Sequence, residues 1–278
     1  MPQFIVGVRL HDYGRGTVDE QFAKVAADGF SAVQLAYKKV VPTVKNYADV
    51  TDELAQQTWE AEQAHGVQVA VLGTYVELAL NTEAREKNVA DFKSQLRIAK
   101  MIGAGCIGTE TTKMVLQPAG TTREQAQTLL CRSLAELLPA AEELGVFIGI
   151  EAVTYHSMND PAAVRRVLDT MRSPNLKVIF DMANMVNADN TDCQEKIWQQ
   201  VGEWYGDKIA AVHFKGQAIR PDGSLMSTPL EESGVDYAGA FAMLRQLPQK
   251  TLPVMREEAV PAKAASDIAY MRSFFKNV

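Results

Sequence analysis

Short apolar runs alternate with longer amphipathic stretches along almost the whole chain. The runs are Phe4–Leu10, Ala32–Ala36, Val67–Gly73, Gly105–Glu110, Val146–Ala152, Leu176–Asp181, Ile209–His213 and Leu252–Glu257. They are nearly continuous in apolar character, the pattern of parallel strands covered on both faces. The stretches between them open with helix-start residues: Thr17, Thr51, Thr121-Thr122, and Asp160 ahead of Pro161. Gly29, Gly66, Gly103 and Gly145 stand just before the next apolar run. There a glycine can end a helix in the left-handed conformation without Cβ strain. About eight strand–helix units at a steady spacing predict a closed (β/α)8 barrel. An open doubly wound sheet is the runner-up, but the first strand lacks a GxGxxG turn and no stretch reads as a second domain. A single α/β domain over residues 1–278 is expected.

Composition narrows the partners. Lys and Arg total 28 against 34 Asp and Glu, a formal charge of -6 over 278 residues. That balance argues against a general binder of phosphate backbones, which needs a basic surface. No apolar run approaches the roughly 20 residues of a membrane span. No basic segment precedes the first apolar run, so a signal peptide is not expected and a cytoplasmic location is. Cys106, Cys131 and Cys193 lack metal-ribbon spacing and are expected to be buried, reduced thiols.

In a (β/α)8 barrel the chemistry sits at the C-terminal ends of the strands. Five consecutive runs end on Glu110, Glu151, Asp181, His213 and Glu257. A single strand-end carboxylate is ordinary, serving as a cap or a rim salt bridge. Several converging carboxylates repel one another unless a cation lies among them. Three carboxylates and an imidazole suit a divalent ion held mainly by oxygen, with Mn, Mg, Co and Zn all compatible.

The motifs Gly149-Ile150-Glu151, Phe180-Asp181-Met182-Ala183-Asn184, His213-Phe214-Lys215 and Arg256-Glu257 resemble those of the xylose isomerase-like TIM barrel superfamily, and within it the sugar phosphate isomerase/epimerase group. The resemblance covers nearly the whole chain. It implies one divalent metal ion held by Glu151, Asp181, His213 and Glu257, with Glu151 and Glu257 as the catalytic acid–base pair. Strand alternation admits only one of Glu257 and Glu258 to the barrel mouth, and the family pattern favours Glu257. Two positions depart from the pattern. Asn184 stands where many members have His, and Gly216 where many have Asp or Glu.

The implied chemistry belongs to carbohydrate metabolism. A carboxylate removes a proton beside a carbonyl, the metal stabilises the enediolate, and a second group returns the proton. The substrate is expected to be a sugar or sugar phosphate, with manganese among the fitting ions. Glu110, Asn184, His11, Lys215 and Arg220 are candidates for holding it. Each also has a structural reading: Glu110 as a cap for the helix near Thr121, and His11 or Lys215 as solvated strand ends. Arg220 lies in the long segment Phe214–Glu232, which reads with Ala36–Val50 as a loop that closes over a site. An inosose dehydratase-like lyase would use the same metal site. A non-catalytic sugar or metal binder is the alternative outside enzymes. An apurinic endonuclease IV-like repair enzyme is disfavoured, because its three-zinc cluster needs more histidines than the 4 present. Neither nucleic acid nor membrane is an expected partner. A homo-oligomer stays open, since dimers and tetramers are common in the family.

Overall fold

The computed structural model describes residues 1–276. In chain order the strands are β1 (Gln3–Arg9), β2 (Ala32–Leu35), β3 (Gln68–Gly73), β4 (Cys106–Glu110), β5 (Ile148–Glu151), β6 (Leu176–Asp181), β7 (Ile209–Phe214), β8 (Gly216–Ile219), β9 (Leu225–Thr228) and β10 (Thr251–Arg256). Eight of them close a parallel barrel in the order β1-β10-β7-β6-β5-β4-β3-β2, and β8 and β9 pair apart as an antiparallel hairpin. The helices outside the barrel are α1 (Val18–Ala27), α2 (Tyr37–Val40), α3 (Asp52–His65), α4 (Ala84–Met101), α5 (Arg123–Leu144), α6 (Pro161–Met171), α7 (Gln194–Tyr205), α8 (Tyr237–Leu244) and α9 (Ala264–Ser273). This is the (β/α)8 architecture that the strand–helix rhythm predicts. Among the described residues no helix is long and apolar enough to cross a membrane.

The helix starts follow from their caps. The Thr17 hydroxyl accepts from the Glu20 N–H while the Glu20 carboxylate accepts from the Thr17 N–H, a reciprocal pair worth about 1 kcal/mol. Thr122 and Gln125 repeat it at α5, and Asp160 caps α6 ahead of Pro161. Gly66 and Gly145 end α3 and α5 at φ 65° and 67°.

Hydrophobic burial falls into two layers. Between barrel and helices lies the larger one, with Phe22, Phe92, Phe180, Leu134 and Trp198 fully or almost fully buried. Inside the barrel a thin layer of Ala32, Ala70, Val71, Cys106, Ile179, Ala211 and Met255 fills the lumen. Glycines make room for its larger members. A Cβ on Gly7 would lie 2.5 Å from the Met255 Cε, and one on Gly108 would lie 2.5 Å from the Ile179 Cδ1. The lumen is therefore a packed core that supports the strand ends from below.

Three expectations change. The segment Phe214–Glu232, read as a loop, contains the β8–β9 hairpin, turned through Pro221-Asp222-Gly223-Ser224 with Gly223 at φ 81°. The segment Ala36–Val50 contains α2 and a single 3-10 turn at Tyr47–Asp49. Cys106 is buried as expected, but Cys131 is half-buried and Cys193 is exposed, because it sits in the turn leading into α7.

Candidate active site and metal centre

The strand register sets the site. Glu110 pairs with Glu151 across β4 and β5, and Asp181 pairs with His213 across β6 and β7. Glu257 follows the last residue of β10, and its N–H donates to the Phe214 carbonyl, which turns its side chain into the mouth. Glu258 has φ 57° and points to solvent. Glu151, Asp181, His213 and Glu257 are all buried, at 4%, 0%, 1% and 5% exposure, so their charges cannot be screened by water.

The His213 Nδ1 is the centre of this acidic wall. It lies 3.2 Å from the Glu151 Oε2, 3.5 Å from the Glu257 Oε1 and 4.0 Å from the Asp181 Oδ2. None of these contacts is aligned as a hydrogen bond, and both ring nitrogens are buried without a partner. Two donors about 2.1 Å from a shared ion stand about 3.0–3.4 Å apart at octahedral to tetrahedral angles, so the shortest spacing, 3.2 Å, is that of an ion's coordination shell and the 3.5 Å one lies just beyond it. Ligand atoms of Glu151, Asp181 and His213 lie within 4.8 Å of one another, and Glu257 flanks that triad on the His213 side. The donor set of oxygens and one imidazole therefore fits a divalent ion.

Two further side chains order the carboxylates. The Asn184 Nδ2 donates to the Glu151 Oε1 at 2.8 Å and to the Asp181 Oδ2 at 2.9 Å, and its backbone N–H donates to the Asp181 Oδ1. The Asn184 Oδ1 accepts from the Lys215 ammonium at 3.2 Å. Lys215 also lies 2.7 Å from the Asp181 Oδ2 and 3.6 Å from the Glu257 Oε2. With the imidazole neutral, as a metal ligand must be, Lys215 and Arg9 leave the three carboxylates with a net negative charge, which a divalent cation would offset.

Burial and these contacts move the protonation equilibria apart. Burial pushes the Glu151 carboxyl up to about 7, against the attraction of His213. Glu257 is equally buried, but His213, Lys215 and Arg9 together hold it down at about 2. Burial alone would lower His213, yet the carboxylates of Glu257, Glu151 and Asp181 outweigh it and raise the imidazole to about 9. Lys215 is held well above the ordinary lysine value in the same way, chiefly by Asp181 and Glu257.

The opposite wall, from β1 to β3, has a different character. Arg9 pairs with Asp12 and reaches within 3.7 Å of the Glu257 Oε1. Tyr75 sits at φ 46°, a left-handed backbone that a bulky residue rarely adopts. Its hydroxyl accepts from the Gln34 amide at 3.0 Å, the His11 ring meets it edge-on at 6.0 Å, and the Lys39 ammonium lies 3.2 Å from its ring centroid. Burial, with Lys39 and Arg9, lowers His11 to about 3. Gln34, Tyr75, Glu110, Glu151 and His213 line one cavity floor, so the two walls share a chamber. Above it opens a cleft of about 680 Å³ bounded by Arg9, Glu110, Arg123, Tyr155, His156 and Lys215.

Of the residues singled out from sequence, Glu110, Glu151, Asp181, Asn184, His213, Lys215 and Glu257 lie at this chamber or cleft, and His11 borders it. Arg220 does not. It lies at the β8–β9 turn, bonded to the Ser224 hydroxyl and the Leu225 carbonyl, and lines a separate groove. Arg9, Gln34, Lys39, Tyr75 and His156 are at the site without having been singled out as site residues. Arg9 ends β1 one residue before the 3-10 turn that carries His11, and that position was its available signal. Nothing local marks His156, whose ring is 3.7 Å from the Glu110 Oε2 and is brought there by the bridge between Lys113 and His156.

A family model described as xylose isomerase-like TIM barrel matches residues 22–274. No curated protein matches the chain in sequence. Among solved structures, the 3-keto-D-glucoside 4-epimerase YcjR from E. coli is 16% identical with a TM-score of 0.75, covering 98% of this chain and 100% of that one. A D-tagatose 3-epimerase-like protein is 14% identical with a TM-score of 0.77, covering 97% and 96%. The IolI protein, solved with a zinc atom, is 14% identical with a TM-score of 0.75, covering 98% of each chain. At these identities the likeness is one of fold.

Proposed function

The chain belongs to the xylose isomerase-like TIM barrel family, and from that premise we propose that it is an isomerase or epimerase of a sugar, sugar phosphate or related polyol, working with one divalent metal ion. The whole chain acts as one catalytic barrel domain. The observation that carries the reading is the placement of Glu151 and Glu257 on two sides of His213, at 3.2 and 3.5 Å from its Nδ1. Sugar epimerases among the structural neighbours support it. Glu151, Asp181, His213 and Glu257 would hold the ion. When bound, such an ion acts as a Lewis acid toward adjacent substrate oxygens.

The chain's own groups handle the proton. Glu257, beside Lys215 and Arg9, is the carboxylate placed to take a proton from carbon. Glu151, near the same His213 nitrogen, is the carboxyl placed to return one. Return of the proton to the opposite face of the same carbon gives an epimer, and return to the neighbouring carbon gives an isomer. Asn184 holds Glu151 and Asp181 in place, and Lys215 fixes the orientation of Asn184. Deep burial of Glu151, Asp181, His213 and Glu257 keeps bulk water away from the proton in transit.

The test begins with elemental analysis of protein purified without chelator. About one divalent ion per chain is expected, followed by exchange of a ketose α-hydrogen with solvent deuterium and no loss of water. Loss of water with an enone ultraviolet signal would replace this reading with a dehydratase. Absence of metal, even after soaking in Mn²⁺, would overturn it.

A further inference from the structure

The chamber has two poles, and only the acidic one has a use so far. The other is built from Arg9, His11, Gln34, Lys39 and Tyr75. It gathers cations around one ring: Lys39 lies 3.2 Å from the Tyr75 ring centroid, and burial, then Lys39 and Arg9, lower His11, whose ring meets Tyr75 edge-on. Arg9 has Asp12 as a partner, but Lys39 pairs with no carboxylate among the described residues and rests on the face of Tyr75 instead. Like charges held together invite an opposite charge, as the carboxylates across the chamber invite a cation.

Three further observations point to a ligand here. The Gln34 Oε1 is buried without a partner in a residue only 4% exposed, and Gln34 lines the same cavity floor as Glu151 and His213. The His11 Nδ1 is likewise buried and unpartnered. Tyr75 stands in left-handed backbone, a strain that folds retain where it positions a ligand contact. Buried acceptors without donors cost stability unless something supplies the missing hydrogen bond. A polyol does so with its hydroxyls.

Resting on the sugar isomerase or epimerase reading, we propose that the substrate is an anionic sugar. Its carbonyl end lies at the acidic wall, and its far end carries a carboxylate or phosphate held by Lys39 beside Arg9. Gln34, His11 and Tyr75 take the hydroxyls between the two ends. Of the other cations, Lys215 is engaged by Asp181 and Asn184, Arg123 by the Thr154 and His156 carbonyls, and Lys113 lines the outer cleft, whereas Lys39 is seated on Tyr75.

The experiment measures calorimetric binding to Mn²⁺-loaded protein of three probes that differ only at the far carbon: D-fructose, D-fructuronate and D-fructose 6-phosphate. One of the two anions is expected to bind at least tenfold tighter than fructose, and which one identifies the group. Lys39→Met, at an exposed position, should bring the binding of that anion down to the level of fructose, while Lys39→Arg should keep the preference. Inorganic phosphate and acetate are titrated in parallel, with thermal shift as the readout. If no sugar binds but either anion stabilises the wild type and not Lys39→Met, the basic pole stands and the sugar reading fails. Equal binding of all three probes would overturn the proposal. So would equal weakening of all three by Lys39→Met, or an absence of any Lys39-dependent binding of sugar or anion.

Discussion

Glu151 and Glu257 answer to opposing surroundings, and their substitution separates function from stability. Glu151→Gln and Glu257→Gln should each lower turnover by about 10²- to 10⁴-fold, the usual share of a general acid or base. Removing one of three crowded carboxylates also removes repulsion, so metal-free Glu151→Gln should melt no lower than wild type. Steady-state rates and melting curves on the same preparations check both halves. Asn184 acts through its neighbours. With Asn184→Leu, Glu151 and Asp181 lose the amide that fixes them. Groups one step behind metal ligands typically contribute 10- to 100-fold in affinity, so Mn²⁺ binding measured by calorimetry should weaken by that order. Unchanged affinity would show that the carboxylates hold their positions unaided.

At the scale of elements, the hairpin explains one departure from the family pattern. A Cβ on Gly216 would lie 2.2 Å from the Thr228 carbonyl oxygen and 2.7 Å from that of Pro229. The Asp or Glu common at this position cannot coexist with β8 pairing so closely to β9. Gly216→Ala should therefore loosen the hairpin and speed thermolysin cleavage before Leu225 several-fold, with the barrel's melting temperature nearly unchanged, because β8 and β9 form no ladder with the barrel strands. The same contrast shows what was legible in the sequence. The barrel strands were readable because burial on both faces leaves a continuous apolar run, and the caps because Thr17, Thr51, Thr122 and Asp160 sit at helix starts. Strand ends then exposed the acidic wall, since chemistry in this architecture follows the C-terminal rim. Leu225-Met226-Ser227-Thr228 is too short and too mixed to read as a strand, so the hairpin was hidden. Gln34 was hidden inside the apolar β2 run and Tyr75 just past β3, Lys39 showed only as part of the Ala36–Val50 segment read as closing over a site, and His156 is placed by a loop that no local pattern marks.

For the whole molecule, the acidic wall ties stability, pH and metal binding together. In the metal-free chain His213 is raised from 6.5 to about 9. The folded state holds that proton more tightly, so its stabilisation is complete below 6.5 and is lost as pH rises through about 9. Glu151, raised from 4.5 to about 7, loses stability across that interval in the same direction. Glu257, held at about 2, contributes above 4.5 and loses its contribution only as pH falls through about 2. Between pH 5 and 9 these sites therefore weaken the metal-free fold as pH increases. A divalent ion needs an ionised Glu151 and a neutral His213, so it must displace the same protons. Its apparent affinity should strengthen by about tenfold per pH unit for each proton displaced. At an ion concentration 100 times its Kd the stabilisation is about 2.7 kcal/mol, several degrees for a chain of this size. The melting temperature without metal should thus fall from pH 6 to 8.5 while the rise produced by 1 mM Mn²⁺ grows. In His213→Gln the ion-induced rise should be small at every pH. A wild-type rise that is constant with pH would mean that no proton leaves the wall when the ion enters, and that His213 is not among its ligands.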